Sequence, residues 1–424
     1  MNFKIYSKKI TTFALFLVFS ALYASAQTMN FAAPREDKLL NGLQTYVWTD
    51  AKAEKVTVKL RINSGASFDL LGKEGTMALL SEIIFPSDAG RAFFTEDLNG
   101  SFEVVSNYDY IQINLSGEND KILEILETLA GAVQNVPIDK NTTAAVKTTQ
   151  LAKLQELEKN PSYIADLAVR KRLLGNFPYG RSALGTTETV GKIDFADILL
   201  AKQRYLTSDN ATLAVSGNAK PEFVFRVVKR FFGGWLKADK KIPSTFASPE
   251  SADTKSFLTK VETENTSELR YAFRGLARNN KDFAAAQILT GILQNRLNQT
   301  GKVRHETHFL PGIVIFELPK WNVGKIEIVE NNMTLPANTF TFVSDLLKEN
   351  ATQAEFDNAK SDFLTEFNKQ NSMDFWMDLT TYKLSTVKDE VQKSTSATLT
   401  DSLRVLETWR KEAVTTSLVI TEPK

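Results

Sequence analysis

The chain contains no cysteine and only two histidines. Without cysteine there is no disulfide, no thiol nucleophile and no cysteine on which a lipid could be attached behind a leader, so stability has to come from buried apolar area. Charge of either sign is not in surplus: 51 Lys and Arg stand against 50 Asp and Glu. Nucleic acid is therefore a poor partner, because counterion release needs clustered basic residues. The sequence also lacks a Gly-x-Ser-x-Gly elbow and a Walker loop, which removes two common routes to hydrolase and nucleotide chemistry. No stop-transfer segment follows the first apolar run, so a stable membrane anchor is not expected.

That first run is a leader. Lys4, Lys8 and Lys9 precede apolar residues from Phe13 to Tyr23, and Ala24-Ser25-Ala26 supplies small residues for cleavage. The stretch is too short to span a bilayer comfortably. Cleavage after Ala26, and export to the periplasm or cell envelope, are the expectations. Losing three lysines and no acid takes the formal charge from +1 to −2.

About 400 mature residues exceed what one core usually serves, so two domains are expected. Leu236 through Ser251 has no apolar period and contains Pro243 and Pro249, the marks of a linker. The boundaries that follow are 27–236, a connection over 237–254, and 255–424. In the first half, alternation predicts strands over Leu43–Trp48, Val56–Ile62, Phe102–Val105 and Tyr110–Leu115. Met77, Leu79, Leu80, Ile83 and Ile84 recur at helical spacing behind Thr76, a candidate N-cap, and Ile122–Val133 carries a second apolar stripe. The second half repeats this order, with strands over Lys255–Val261 and Leu269–Phe273 and a helix from Asp282 to Leu297. Thr352-Gln353-Ala354-Glu355 is a capping box, a helix covers Asp401 to Lys411, and Ser417–Ile420 is a last strand. Strands followed by helices, twice, make an α+β fold of two similar halves, each a mostly antiparallel sheet packed with helices.

Several segments in this order resemble the pitrilysin/insulinase peptidases. They are Leu40-Asn41-Gly42-Leu43, the stretch Gly75 to Phe85, Phe177-Pro178-Tyr179-Gly180, Leu184-Gly185-Thr186, and Tyr205 to Asn210 leading into Leu213 to Asn218. The resemblance covers nearly the whole mature chain. It implies the two-halved fold and a history of pairing between catalytic and non-catalytic subunits. Active members carry His-x-x-Glu-His on a helix, two histidines on one helical face gripping zinc beside a glutamate base, with a further glutamate about seventy-five residues on. On this sequence the motif falls on Ala78, Ser81 and Glu82, and the distal ligand at about Lys153. An alanine cannot coordinate, a serine is no base at neutral pH and a lysine repels the ion. No metal site, no catalytic residue and no cofactor are implied, and Glu82 reads as the salt-bridged remnant of a ligand, with Lys153 nearby.

The histidines sit together in Arg304-His305-Glu306-Thr307-His308, which reads as a solvated polar turn rather than a metal site because no third ligand is evident. The family's second half supplies an arginine and, seven residues on, a tyrosine that hold the substrate. Here the pair falls on Lys302 and Phe309, or with two extra residues on Arg304 and Pro311. Arg304, Lys302 and Phe309 are thus the candidate substrate-binding residues, with the phenol gone in either register. Trp321, Phe375 and Trp376 are candidates for a groove, though core packing suits them better. The functional expectation is a non-catalytic subunit of an exported heterodimeric zinc peptidase, helping form a chamber for peptide or unfolded protein. The alternative is a standalone or homodimeric periplasmic peptide-binding module that accepts an extended peptide by strand addition.

Overall fold

The computed structural model describes residues 31–421, apart from 241, 243–245, 256–257, 262–266, 320–326, 330–331 and 335–336. The leader and Trp321 lie outside the described residues. Alternation produces the strands much as expected: β1 Arg35–Lys38, β2 Gln44–Thr49, β3 Lys55–Ile62, β4 Ser101–Ser106, β5 Ile111–Glu118 and β6 Ala211–Gly217. They form one sheet in the order β1-β2-β6-β3-β5-β4. The later strands are β7 Leu258–Val261, β8 Ser267–Gly275, β9 Lys302–Glu306, β10 Gly312–Pro319, the short pair β11 Glu327–Val329 and β12 Asn332–Thr334, and β13 Thr415–Thr421. The second large sheet runs β7-β13-β8-β10-β9.

The two sheets repeat one plan. Each has a single parallel pair, β2 with β6 and β7 with β13, followed by three antiparallel neighbours. The fold is α+β with two mixed sheets. Period-two alternation divides each central strand between two faces. On β3, Val56, Val58, Leu60 and Ile62 enter a core shared with helices Thr76–Ile83, Ile122–Gln134 and Pro221–Phe232. On β8, Leu269, Tyr271 and Phe273 enter a second core with helices Phe283–Leu297 and Leu399–Trp409.

The opposite face of each sheet is covered by a helix from the other half. Helix Ser372–Thr381, late in the chain, lays Met373 and Met377 on Tyr46 and Ala214 of the first sheet. Helix Pro161–Leu174, early in the chain, lays Val169 and Leu173 on Ala272, Ile313 and Ile315 of the second. Both helices start the same way. Asn160 and Asn371 each turn a side-chain oxygen onto two backbone N–H groups of the first turn, which satisfies donors that a helix start leaves open.

Each crossing helix is fastened by an arginine on the central strand. The Arg61 side chain is only 2% exposed and donates to Asp378 at 2.6 Å, Thr381 at 3.2 Å and Gln112 at 2.6 Å, with Asp374 at 3.5 Å. Lys59, two residues earlier on the same face, reaches Asp374 at 2.5 Å. Arg270, also 2% exposed, donates to Asp166 at 2.7 Å and Ser162 at 2.7 Å on the early helix, and to Glu268 at 2.7 Å. A buried guanidinium stripped of its partner is costly, whereas a surface ion pair contributes about 0–1 kcal/mol. Asp378→Ala is therefore expected to lower unfolding free energy by about 3–5 kcal/mol, measured by urea denaturation. A loss below about 1 kcal/mol, the surface-pair value, would show that this contact does not hold the halves together.

Candidate functional site

Helix Thr76–Ile83, on which the resemblance puts the zinc motif, is held from its N-terminus by a residue that spacing alone did not suggest. Asp69 accepts from the N–H groups of Gly75 at 2.8 Å and Met77 at 2.9 Å. Thr76, the expected cap, is instead the first helical residue, and its hydroxyl donates to the Lys73 carbonyl at 2.6 Å. Gly75 takes the left-handed conformation, φ +99°, and a Cβ there would meet the Leu184 carbonyl oxygen at 2.8 Å. Gly75 and Gly185 thus pack backbone to backbone, which brings two of the resembling segments into contact. Burial pushes the Asp69 carboxyl up to about 7, against the pull of the two N–H donors and Arg181.

Along this helix Ala78 is buried, and Ser81, also buried, donates its hydroxyl to the Ala78 carbonyl at 2.7 Å. Glu82 faces outward and pairs with Arg91 at 2.9 Å. Its partner is thus Arg91, not the expected Lys153. Helix Lys140–Leu157 packs alongside but turns Val146, Gln150 and Leu154 inward, and Gln150 donates to the Leu184 carbonyl at 2.9 Å. Lys153 stays on its exposed side. An alanine, a serine bonded to its own helix, an outward glutamate and an exposed lysine do not make a ligand set, so these residues do not fit a zinc ion. Among the described residues no three His, Asp or Glu side chains gather as a metal site.

The segment Arg304 to His308 departs from the solvated turn expected of it. Lys302–Glu306 is strand β9, and both histidines are 8% exposed. Each ring is buried in a different place. His305 receives the Leu276 N–H at 3.1 Å beside Trp409, and burial lowers it to about 4. His308 stacks on Tyr179, centroids 4.4 Å apart, and its Nδ1 lies 3.1 Å from Asp109. Asp109 also accepts the Tyr179 hydroxyl at 2.6 Å and the Phe309 N–H at 3.3 Å. This Asp109–Tyr179–His308 cluster joins the two halves of the chain. Burial, then the adjacent carboxylate, pushes the Tyr179 phenol far up, so it stays a hydrogen-bond donor.

The candidate substrate residues are separated. Arg304 is held among the carboxylates of Asp166, Glu306 and Glu317, so it is not the surface cation of a turn. Lys302 is exposed at the start of β9. Phe309 lies beyond the other end of that strand, where it lines a cavity with Asp109 and Tyr179. Phe375 is buried in the core, and Trp376 packs at 5.6 Å from Tyr46.

Other resembling segments also meet in space. Asn41 donates to the carbonyls of Phe232 at 2.8 Å and Trp235 at 3.0 Å, Ser208 donates to the Asn41 carbonyl at 2.8 Å, and Gly42 lies against Asp209. The retained motifs are scaffold contacts. Two family models match the chain: Insulinase (Peptidase family M16) over residues 46–187, and Peptidase M16 inactive domain over residues 192–306. The chain belongs to the pitrilysin/insulinase family, M16. As an M16 member it lacks the residues of the zinc motif. The probable mitochondrial-processing peptidase subunit beta of Arabidopsis thaliana is 22% identical over 278 residues, 64% of this chain and 52% of that protein. The non-peptidase homolog YmxG of Helicobacter pylori is 23% identical over 168 residues, 38% of this chain and 39% of that one. The chain thus matches about half or less of the length of these curated relatives. The peptidase M16 inactive domain from Pseudomonas fluorescens shares the M16 fold, with TM-score 0.77 at 18% identity over 92% of this chain and 100% of that one.

Sequence spacing did not reveal Asp69 or Asp109, because their partners lie on other elements. The only signal for Tyr179 was its place in a resembling segment. Two outcomes follow from the geometry. The purified mature chain, dialysed after exposure to zinc, is expected to hold no stoichiometric zinc by elemental analysis and to show no chelator-sensitive peptidase activity; one retained zinc per chain would contradict the loss of the site. The Asp69 pKa is raised on folding, so the stability it contributes is full below pH 4 and is lost as pH rises toward 7. Relative to Asp69→Asn, the parent chain should therefore become less stable between pH 4 and pH 7 in denaturant titrations. A pH-independent difference would show that the two N–H donors and Arg181 cancel the effect of burial.

Proposed function

We propose that this chain is the non-catalytic subunit of an exported heterodimeric M16 zinc peptidase, in which it helps form the substrate chamber. The observation carrying this reading is a contrast: Asp69 and Gly75 hold helix Thr76–Ile83 firmly in place, while Ala78 and Ser81 on it, and an outward Lys153 on the neighbouring helix Lys140–Leu157, stand where the family's ligands and base belong. A fold of this family without its metal ligands supports use of the surface, not of the chemistry. A subunit of a processing peptidase and a non-peptidase homolog among the relatives point the same way. In this reading the leader is removed after Ala26, and the halves 27–236 and 255–424, joined by 237–254, work as one wall of the chamber. No helix among the described residues is long and apolar enough to cross a membrane. Lys302, exposed at the start of β9, is the cation this subunit would present to peptide carbonyls. Arg304 serves instead to fasten the early helix.

One observation favours a second reading, a standalone or homodimeric peptide-binding module. Strand β4 ends its sheet, bonded to β5 on one side, and an edge of this kind accepts an extended peptide by strand addition. The two readings separate in one experiment. Mixing the chain with an M16 protein that has an intact His-x-x-Glu-His should give co-elution in size-exclusion chromatography and raise cleavage of a quenched peptide well above the partner's own rate. Separate elution at micromolar concentration with no change in rate would favour the peptide-binding module.

A further inference from the structure

Seven large apolar side chains are exposed among the described residues, and four of them, Leu70, Leu71, Leu199 and Leu200, come from two adjoining elements of the first half. Residues 70–73 form a tight turn. The Lys73 N–H returns to the Leu70 carbonyl at 2.9 Å, and Gly72 takes φ +80°, as the third residue of a type II turn does. The turn is braced from within: the Gly72 N–H donates to Glu74 at 3.1 Å, and Arg181 donates to both the Asp69 carbonyl at 3.0 Å and Glu74 at 3.2 Å. Its tip thus holds Leu70 and Leu71 in a fixed pose, 52% and 67% exposed. An apolar group already held in place loses little freedom on binding.

Lys73 ties this turn to helix Phe195–Tyr205 through Asp197, at 2.7 Å, and Leu70 and Leu200 line one recess beside that pair. The helix buries Ile198 and Ala201 on its inner side. On its outer side Ala196, Leu199, Leu200 and Gln203, at i, i+3, i+4 and i+7, are all exposed and all uncharged. A surface helix ordinarily puts charge on that face. Beyond Leu200 a groove of about 390 Å³ runs between the end of the helix, at Arg204 and Tyr205, and the connecting segment, at Asp239, Lys240 and Ile242. Turn, helix face and groove make one continuous surface.

The charges narrow the occupant. Arg204 and Lys240 line the groove against a single carboxylate, Asp239, and Lys237 precedes them in the chain, all four exposed. Arg204 bonds only the neutral Tyr205 hydroxyl, whose pKa burial raises, so its charge is not cancelled there. The carboxylate of Asp197 is taken by Lys73. A basic surplus on an otherwise balanced chain selects an acidic partner. The face is built of a turn and a helix, with no strand edge on it for an extended peptide, and residues spaced as on this helix receive the ridge of a second helix. We propose that the turn at Leu70 and Leu71 and the outer side of helix Phe195–Tyr205 dock an acidic amphipathic helix of another protein, its leucine-type side chains packing on Leu71, Leu199 and Leu200 and its carboxylates meeting Arg204 and Lys240. This goes beyond the subunit reading above, because it names a surface and the chemistry that fits it without requiring that the partner be a peptidase.

The test uses the mature chain and no peptidase, so its failure and that of the subunit reading are separate results. The probe is a fluorescent, hydrocarbon-stapled helix of about 15 residues, with leucines at i, i+3, i+4 and i+7 and glutamates on its remaining faces. Fluorescence anisotropy should show saturable binding, at least tenfold weaker when lysines replace the glutamates. The double variant Leu71→Asp, Leu200→Asp should bind the acidic helix at least tenfold more weakly while keeping the parent's circular dichroism and Tm, because both side chains are exposed. Arg204→Glu combined with Lys240→Glu should turn the preference toward the lysine helix. No saturable binding, equal affinity for the two helices, or unchanged binding by the leucine variant would each overturn the proposal. So would a dimer of the parent chain that the leucine variant dissolves in sedimentation velocity, which would give the face to a second copy, or leucine-dependent binding to phosphatidylglycerol vesicles without helix binding, which would give it to a membrane.

Discussion

Two buried arginines organise this molecule. Arg61 and Arg270 occupy the central strands of the two sheets, on the faces that the local helices leave uncovered, and almost no water reaches either one. A guanidinium in that position must find carboxylates. In each case a helix of the other half supplies them, Asp374 and Asp378 for Arg61 and Asp166 for Arg270, which Glu268 of the same strand also contacts. The apolar contacts follow the same exchange, with methionines crossing one way and Val169 and Leu173 the other. Either half taken alone would expose a sheet face and strip its arginine of the partners on the crossing helix. The exchange therefore makes the two similar halves depend on each other, and residues 31–424 form one compact unit.

This mutual dependence places the remaining features. The Asp109–Tyr179–His308 cluster and the cavity beside it lie where the halves are pinned from both sides, so their walls come from three stretches of chain distant in sequence. Helix Thr76–Ile83 lies in the first core, held by Asp69 and by the meeting of Gly75 with Gly185. The supports that orient this helix are Asp69 and the two glycines, none of them a residue read as a zinc-ligand position.

Much of the fold was legible in the sequence because it rests on local rules. Val56 to Ile62 alternates and is a strand; Thr352 and Glu355 form the expected capping box with both bonds present; the strand order of the second half repeats that of the first. The exchange of helices was not legible. Periodicity tells which face of a helix is apolar, as at Met373 and Met377, but not which sheet will cover it. Arg304 to His308 misled for the same reason. Its charges look solvated along the chain, yet Asp166, Glu317, Asp109 and Trp409, all remote in sequence or brought in by other elements, surround it in the fold. The absence of His-x-x-Glu-His, by contrast, needs only the sequence, whose two histidines are His305 and His308. The replacement of Lys153 by Arg91 as the partner of Glu82 could not be read there, since it depends on which way a helix turns.

The crossed helices fuse two similar halves into a single cooperative body. Differential scanning calorimetry of the mature chain should therefore show one transition whose calorimetric and van't Hoff enthalpies agree. Two resolved transitions, each carrying the enthalpy of about half the chain, would show that the halves unfold independently and would contradict it.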